Sequence, residues 1–147
     1  MTQEIENSQD VIDSRDVIQR IEELQAEKLD LEETLDDAVK SFAEVEEKEE
    51  AAEALTEWLE DYGDELKTLE DLADEAGSSP DWPHGEALIR ESYFTEYCEE
   101  LCKDIGDIPN ELPWYIANHI DWEGVAREIQ QDYTQVDFDG VTYFIRA

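Results

Sequence analysis

Cys98 and Cys102 stand four residues apart in a stretch whose apolar spacing predicts a helix, so their side chains share one face. With His84 or His119 they could hold a metal ion, but the spacing matches no standard zinc signature. Two buried or half-buried thiols are expected instead, in a reducing compartment, because a disulfide inside a continuous helix is geometrically awkward. Asp137 and Asp139 resemble the start of a calcium loop, yet the other ligands at EF-hand spacing are missing. His84 and His119 fall beside loops and read as surface or capping residues. General acid–base catalysis needs two carboxyls whose pKa values are pushed apart in a pocket. Among 43 Asp and Glu, close pairs arise by chance and mark nothing. There is no Gly-rich phosphate loop, nucleophile elbow, His-Glu-x-x-His pair or dinucleotide fingerprint. The chain is therefore expected not to be an enzyme and to use no cofactor or metal.

The remaining chemistry is charge itself. The 43 acids stand against ten Lys and Arg, a formal net charge of −33, in a chain that is 40% hydrophobic and carries four Trp, six Tyr and four Phe. Acidic chains that stay disordered lack such aromatic and apolar content. This one should fold, and a compact state with so much like charge loses stability to self-repulsion. Its simplest use is to meet a strongly basic surface. Nucleic acids and anionic membranes are normally met by Lys and Arg, so direct binding to either is excluded. No stretch approaches the roughly 18 apolar residues of a membrane span, and no basic segment followed by an apolar run marks a signal peptide, so a soluble protein is expected.

The elements that would carry this charge are mostly helical. From Ser14 to Glu50 there is no Gly or Pro, and a heptad can be written with Ile21, Lys28, Leu35 and Phe42 at a and Val17, Leu24, Leu31, Ala38 and Val45 at d. The apolar seam of Val17, Ile21, Leu24, Leu31, Leu35, Phe42 and Val45 needs a partner, either a second copy or the next segment folded back. Outside the seam, positions c and f read Glu23, Ala26, Asp30, Glu33, Asp37, Lys40, Glu44 and Glu47, six of eight acidic. At 1.5 Å per residue that stripe would cover roughly 36 Å, about one turn of duplex DNA, with carboxylates approximating one phosphate strand. Further acids, Glu57, Glu60, Asp61, Asp64, Glu65, Glu70, Asp71, Asp74 and Glu75, extend the charge; Glu22 to Glu75 holds 23 acids and four lysines. Solvated helix faces usually mix Lys with Glu to gain i,i+4 pairs. This chain forgoes them.

The expected fold class is mainly α with a small C-terminal β-hairpin (α+β). Residues 1–76 form an acidic helical arm with 1–13 flexible, Gly77-Ser78-Ser79-Pro80 a linker, and 81–147 a compact helical domain. Within the latter, Glu86 to Ile105 reads as a helix, Pro109 and Pro113 punctuate an irregular stretch carrying Trp114 and Tyr115, and Asp121 reads as an N-cap. Val136 to Ile145 reads as a hairpin around Asp139-Gly140, the dipeptide a type I′ turn prefers.

Tyr115 to Phe144 carries a more specific signal: Ile120, Asp121, Trp122, Glu123, Ala126, Arg127 and Glu128, followed by Asp132 and Tyr133 and a short aromatic tail. This run resembles the carboxyl-terminal part of the ArdA-type antirestriction proteins. The resemblance covers about a fifth of the chain. It implies an acidic, dimeric mimic of DNA from a phage, plasmid or transposon that occupies the DNA-binding groove of a type I restriction–modification enzyme in the bacterial cytoplasm as a stoichiometric inhibitor. The long heptad helix departs from the several small mixed domains of that family. The basic nucleic-acid channel of a CRISPR effector is thus an alternative target, and an acidic coiled-coil adaptor or a histone-like chaperone is a second alternative.

Overall fold

The computed structural model describes residues 4–109 and 111–147, and is mainly α with one small antiparallel sheet. Strand β1 (Val11–Asp13) leads straight into helix α1 (Ser14–Lys40). Asp13 caps that helix: its carboxylate accepts from the Arg15 backbone N–H at 2.9 Å and pairs with the Arg15 guanidinium at 2.8 Å. The hydrogen bonds from the Arg15 side chain hold the Asp13 carboxyl below the usual carboxylate range.

The gap-free heptad implied a helix running to Glu50, but α1 stops at Lys40. The Ala43 N–H donates to the Ala38 carbonyl at 3.1 Å and the Phe42 N–H to the Val39 carbonyl at 3.4 Å, with Phe42 left-handed at φ 55°. This is a Schellman closure, whose left-handed position normally takes Gly. With Phe in that place, the sequence gives no warning of the stop.

Helix α2 (Val45–Trp58) then folds back along α1, where the Trp58 indole N–H donates to Glu27 at 3.0 Å. A π-helical turn (Leu59–Gly63) passes into α3 (Asp64–Ala76) with the backbone right-handed on both sides of it. The partner that the heptad seam requires therefore comes from the same chain.

The sheet has the order β1-β2-β4-β3, all antiparallel, built from β1, β2 (Ala87–Arg90), β3 (Tyr133–Phe138) and β4 (Val141–Arg146). The β3–β4 hairpin turns at Asp139-Gly140, both at positive φ (49° and 81°), as a type I′ turn requires. Strand β2 replaces the first turn of the helix expected over Glu86 to Ile105; a 3₁₀ turn (Glu91–Tyr93) and the shorter α4 (Phe94–Asp104) follow. A brief apolar run does not by itself separate strand from helix. Here Leu88 and Ile89, both fully buried, point to opposite faces of the sheet and serve two different clusters.

On one face Leu88, Tyr143 and Ile145 pack with Val17, Leu24, Trp58, Leu66, Leu69 and Leu72 of α1–α3. On the other, Ile89 and Phe144 pack with Phe94 and Cys98 of α4 and with Ala126 of α6 (Trp122–Gln130). A short α5 (Trp114–Ala117) precedes α6, whose N-cap is Asp121, accepting from the Gly124 N–H at 3.1 Å. The first cluster draws on both sides of Gly77–Pro80, and Ser79 Oγ donates across to the Arg146 carbonyl at 2.7 Å. The segment 1–13, read from sequence as flexible, is held where it is described: Ile5 is buried, β1 pairs with β2, and the Tyr143 hydroxyl donates to the Gln9 carbonyl. Residues 1–3 lie outside the described residues.

Candidate acidic interaction surface

The seam residues divide along the length of α1. Val17 and Leu24 are fully buried, Ile21 and Leu31 are half-buried against the same cluster, and Leu35 is half-buried beside α2. Phe42 and Val45, the last expected members, are 90% and 67% exposed because the chain reverses between them. The reversal also divides the acidic stripe. Glu23, Asp30, Glu33 and Asp37 lie on α1, Glu44 sits in the connection as N-cap of α2, and Glu47 belongs to α2. The α1 part is thus about 21 Å long rather than the roughly 36 Å of an unbroken helix.

Most of the other acids do face solvent. Asp30, Glu33, Asp37, Glu44, Glu47, Glu57, Glu60, Asp61, Asp64, Glu70, Asp71, Asp74 and Glu75 are all exposed. Glu75 also accepts from the Asp137 backbone N–H at 3.0 Å, tying α3 to the hairpin.

Glu23 and Glu65 are different. Arg20, only 8% exposed, spans from α1 to α3 and engages both carboxylate oxygens of Glu65, at 2.8 and 3.1 Å, while its remaining nitrogen lies 3.5 Å from Glu23. These two acids hold the helical layer together. Arg20 lies outside the a and d positions of the heptad, so the sequence carried no local signal for this pairing.

Among the described residues, a cleft and a groove border several of these acids. A cleft of about 280 Å³ is lined by Glu4, Asp61, Asp64, Glu65 and Asp139 around Ile5, Leu69 and Phe138. A larger groove of about 580 Å³ runs between α1 and α2, with Leu35, Val39 and Leu55 as its floor and Glu32, Glu33 and Asp36 on its rim. Glu32, Asp36 and Val39 escaped the sequence reading because they sit at heptad positions e and b, outside both the apolar seam and the acidic stripe.

Neither thiol is placed for chemistry. Cys98 and Cys102 are buried free cysteines on the inner face of α4, and burial pushes the Cys98 thiol up to about 11. His84 and His119 are exposed beside turns. Among the described residues, no group of three or more His, Cys, Asp or Glu is arranged to hold a metal ion, and no helix is long and apolar enough to cross a membrane.

Fold and surface together define an acidic, mainly helical protein with one small antiparallel sheet and a surface rich in exposed carboxylates. A family model described as antirestriction protein (ArdA) matches residues 1–142, and the chain belongs to that family of inhibitors of restriction. The match reaches well beyond the carboxyl-terminal run that carries the sequence resemblance. No curated protein and no solved structure gives a significant match.

Proposed function

We propose that the protein inhibits a type I restriction–modification enzyme by occupying its DNA-binding groove as a DNA-like array of negative charge. One observation carries this reading. Two antiparallel helical runs, α1 and α2–α3, with the connection between them, hold 23 acids against four lysines from Glu22 to Glu75, and most of those carboxylates face solvent. The runs are about 40 and 48 Å long, each longer than the 34–36 Å of one duplex turn. A Lys/Arg-lined groove would pair with these carboxylates in place of phosphates, and long-range attraction would speed the encounter.

The hairpin itself restricts how a homodimer, which the family resemblance implies, could form. Val17 and Leu24 are already used within the chain, so a second copy would need another face. Leu112 to Ile120 contains no acid, and Trp114, Tyr115 and Ile116 there are 74%, 58% and 46% exposed, which makes α5 the favoured contact.

The test is charge reversal on the described surface. The quadruple variant D30K/E33K/D37K/E44K is expected to abolish inhibition of the restriction enzyme while circular dichroism stays unchanged, since all four side chains are exposed. Normal inhibition by a folded quadruple variant would remove this surface from the mechanism. Displacement of labelled duplex from a CRISPR effector, with none from type I enzymes, would reassign the target.

A further inference from the structure

The groove between α1 and α2 joins two chemistries that charge mimicry alone does not need. Its floor is apolar, made by Leu35, Val39 and Leu55, and Glu32, Glu33 and Asp36 stand along its rim. About 580 Å³ is within the range of clefts that bind small molecules. Val39 is 53% exposed, and Phe42 and Val45, which follow it in the chain where the hairpin turns, are 90% and 67% exposed.

Phe42 is the telling residue. It occupies the left-handed closing position of α1, where a Cβ is disfavoured and Gly is the usual choice, and its ring contributes almost no buried surface to the chain's own core. Neither backbone geometry nor internal packing accounts for it. Isolated apolar residues on a surface are ordinary, but this one donates its backbone N–H to the carbonyl of Val39, which lines the groove.

Resting on the mimicry reading above, we propose that the groove and the hairpin end receive a basic amphipathic helix of the target protein, with its apolar stripe on the floor and its Lys or Arg on the rim. Charge selects the occupant. A second copy would set carboxylate rims of like sign against each other, and a nucleic acid or an anionic membrane would be repelled in the same way. The rim acids that already pair with lysine do so at the surface: Asp36 with Lys40 at 2.8 Å and Glu32 with Lys28 at 4.0 Å, all four groups exposed by 41% or more. Such exposed pairs contribute little and yield readily to an incoming cation. The helix-in-groove mode then supplies apolar burial, which salt does not screen, beside the salt-sensitive contacts of the outer faces.

The experiment compares two peptides of equal positive charge, a helical Leu/Lys peptide and its Ser-for-Leu counterpart, binding to the wild-type protein and to V39Q/F42G. Gly suits the closing position and Gln suits a helix, so the double variant should unfold no more easily than wild type. Wild type is expected to prefer the Leu/Lys peptide by about tenfold, and the variant to lose that preference. Equal binding of both peptides, or a preference that survives in the variant, would overturn the proposal.

Inhibition of a type I restriction–modification enzyme is the second readout. There V39Q/F42G should be weaker by about tenfold with an unchanged slope against salt, and inhibition equal to wild type would overturn the assignment of the occupant to the target. If wild type inhibits no such enzyme yet keeps its peptide preference, the mimicry reading falls and the groove stands.

Discussion

The Arg20 guanidinium lies against Glu65 with both carboxylate oxygens engaged, at 2.8 and 3.1 Å, joining two helices 45 residues apart in sequence. In a chain with so few cations, one of them is spent inside the helical layer rather than on its surface. Arg20→Met would leave Glu65 and Glu23 facing each other without it, in a site where the Glu65 side chain is 15% exposed. Hydrogen bonds to charged groups contribute about 1.5–3 kcal/mol, so a loss of about 2 kcal/mol is expected in urea unfolding at neutral pH. An R20M/E65M double variant should recover much of it, because well-packed apolar replacement of a buried pair is often near neutral.

The start of α1 should lose stability as the solution is acidified. Arg15 depresses the folded-state pKa of Asp13, so the stability from this cap is present above the unfolded carboxylate range and is lost as pH falls through the folded value. D13A is expected to cost about 1 kcal/mol at pH 7. Urea titrations repeated at falling pH should bring wild type and variant together below the carboxylate range. A gap that stays constant would remove the ionised carboxylate from the cap.

Cys98 gives a prediction at the alkaline end. Its folded thiol is raised from the usual value near 9 to about 11, so the stability it contributes is complete below about 9 and declines as pH rises toward 11. C98A should be less stable at pH 7, through the small cavity it leaves, but lose less between those limits. Both thiols should react with a thiol reagent only on unfolding, since Cys98 is fully buried and Cys102 is 8% exposed.

A dimer built on α5 can be tested without touching the acidic helices. Trp114 and Tyr115 pack edge to face at 5.8 Å on an exposed turn. If that face joins two copies, W114S/Y115S should sediment as a monomer with an unchanged helical signal, because neither ring belongs to either core cluster. Unaltered sedimentation of a dimer would place the contact elsewhere.

Local signals were legible in the sequence and nonlocal ones were not. Val17 and Leu24 read as core because seven-residue spacing fixes one face of a helix, and Asp139-Gly140 read as a hairpin turn because few dipeptides accept two positive φ angles. The stop at Lys40 was hidden by Phe42 in a place that usually takes Gly. Strand β2 was hidden because its conformation is decided by β1 and β4, lying about 75 residues before it and 55 after it. In the same way, nothing local distinguishes Glu65 from Asp64. Only Arg20, brought in by the fold, makes one a structural acid and leaves the other on the surface. The net charge was readable at once, while the two-helix arrangement that displays it was one of two pairings the seam left open, with a second copy or with the next segment folded back.

The charge density of that arrangement predicts how inhibitor and DNA should compete as salt changes. Duplex DNA carries one charge per about 1.7 Å of axis and a condensed counterion layer, whose release makes its binding steeply salt-dependent. From Glu22 to Asp37, α1 carries eight acids and one lysine; over about 22 Å of helix that is one net charge per about 3 Å. The protein should therefore release fewer counterions for each basic residue it meets, and its affinity should fall less steeply as salt rises. Raising salt from about 50 to about 200 mM is expected to weaken both ligands of the restriction enzyme but to favour the protein, so more duplex should be needed to displace it at the higher concentration. Filter-binding competition at the two concentrations measures this directly. A duplex requirement that falls with salt would mean that the carboxylates do not substitute for phosphates at these densities, and that apolar contacts carry little of the affinity.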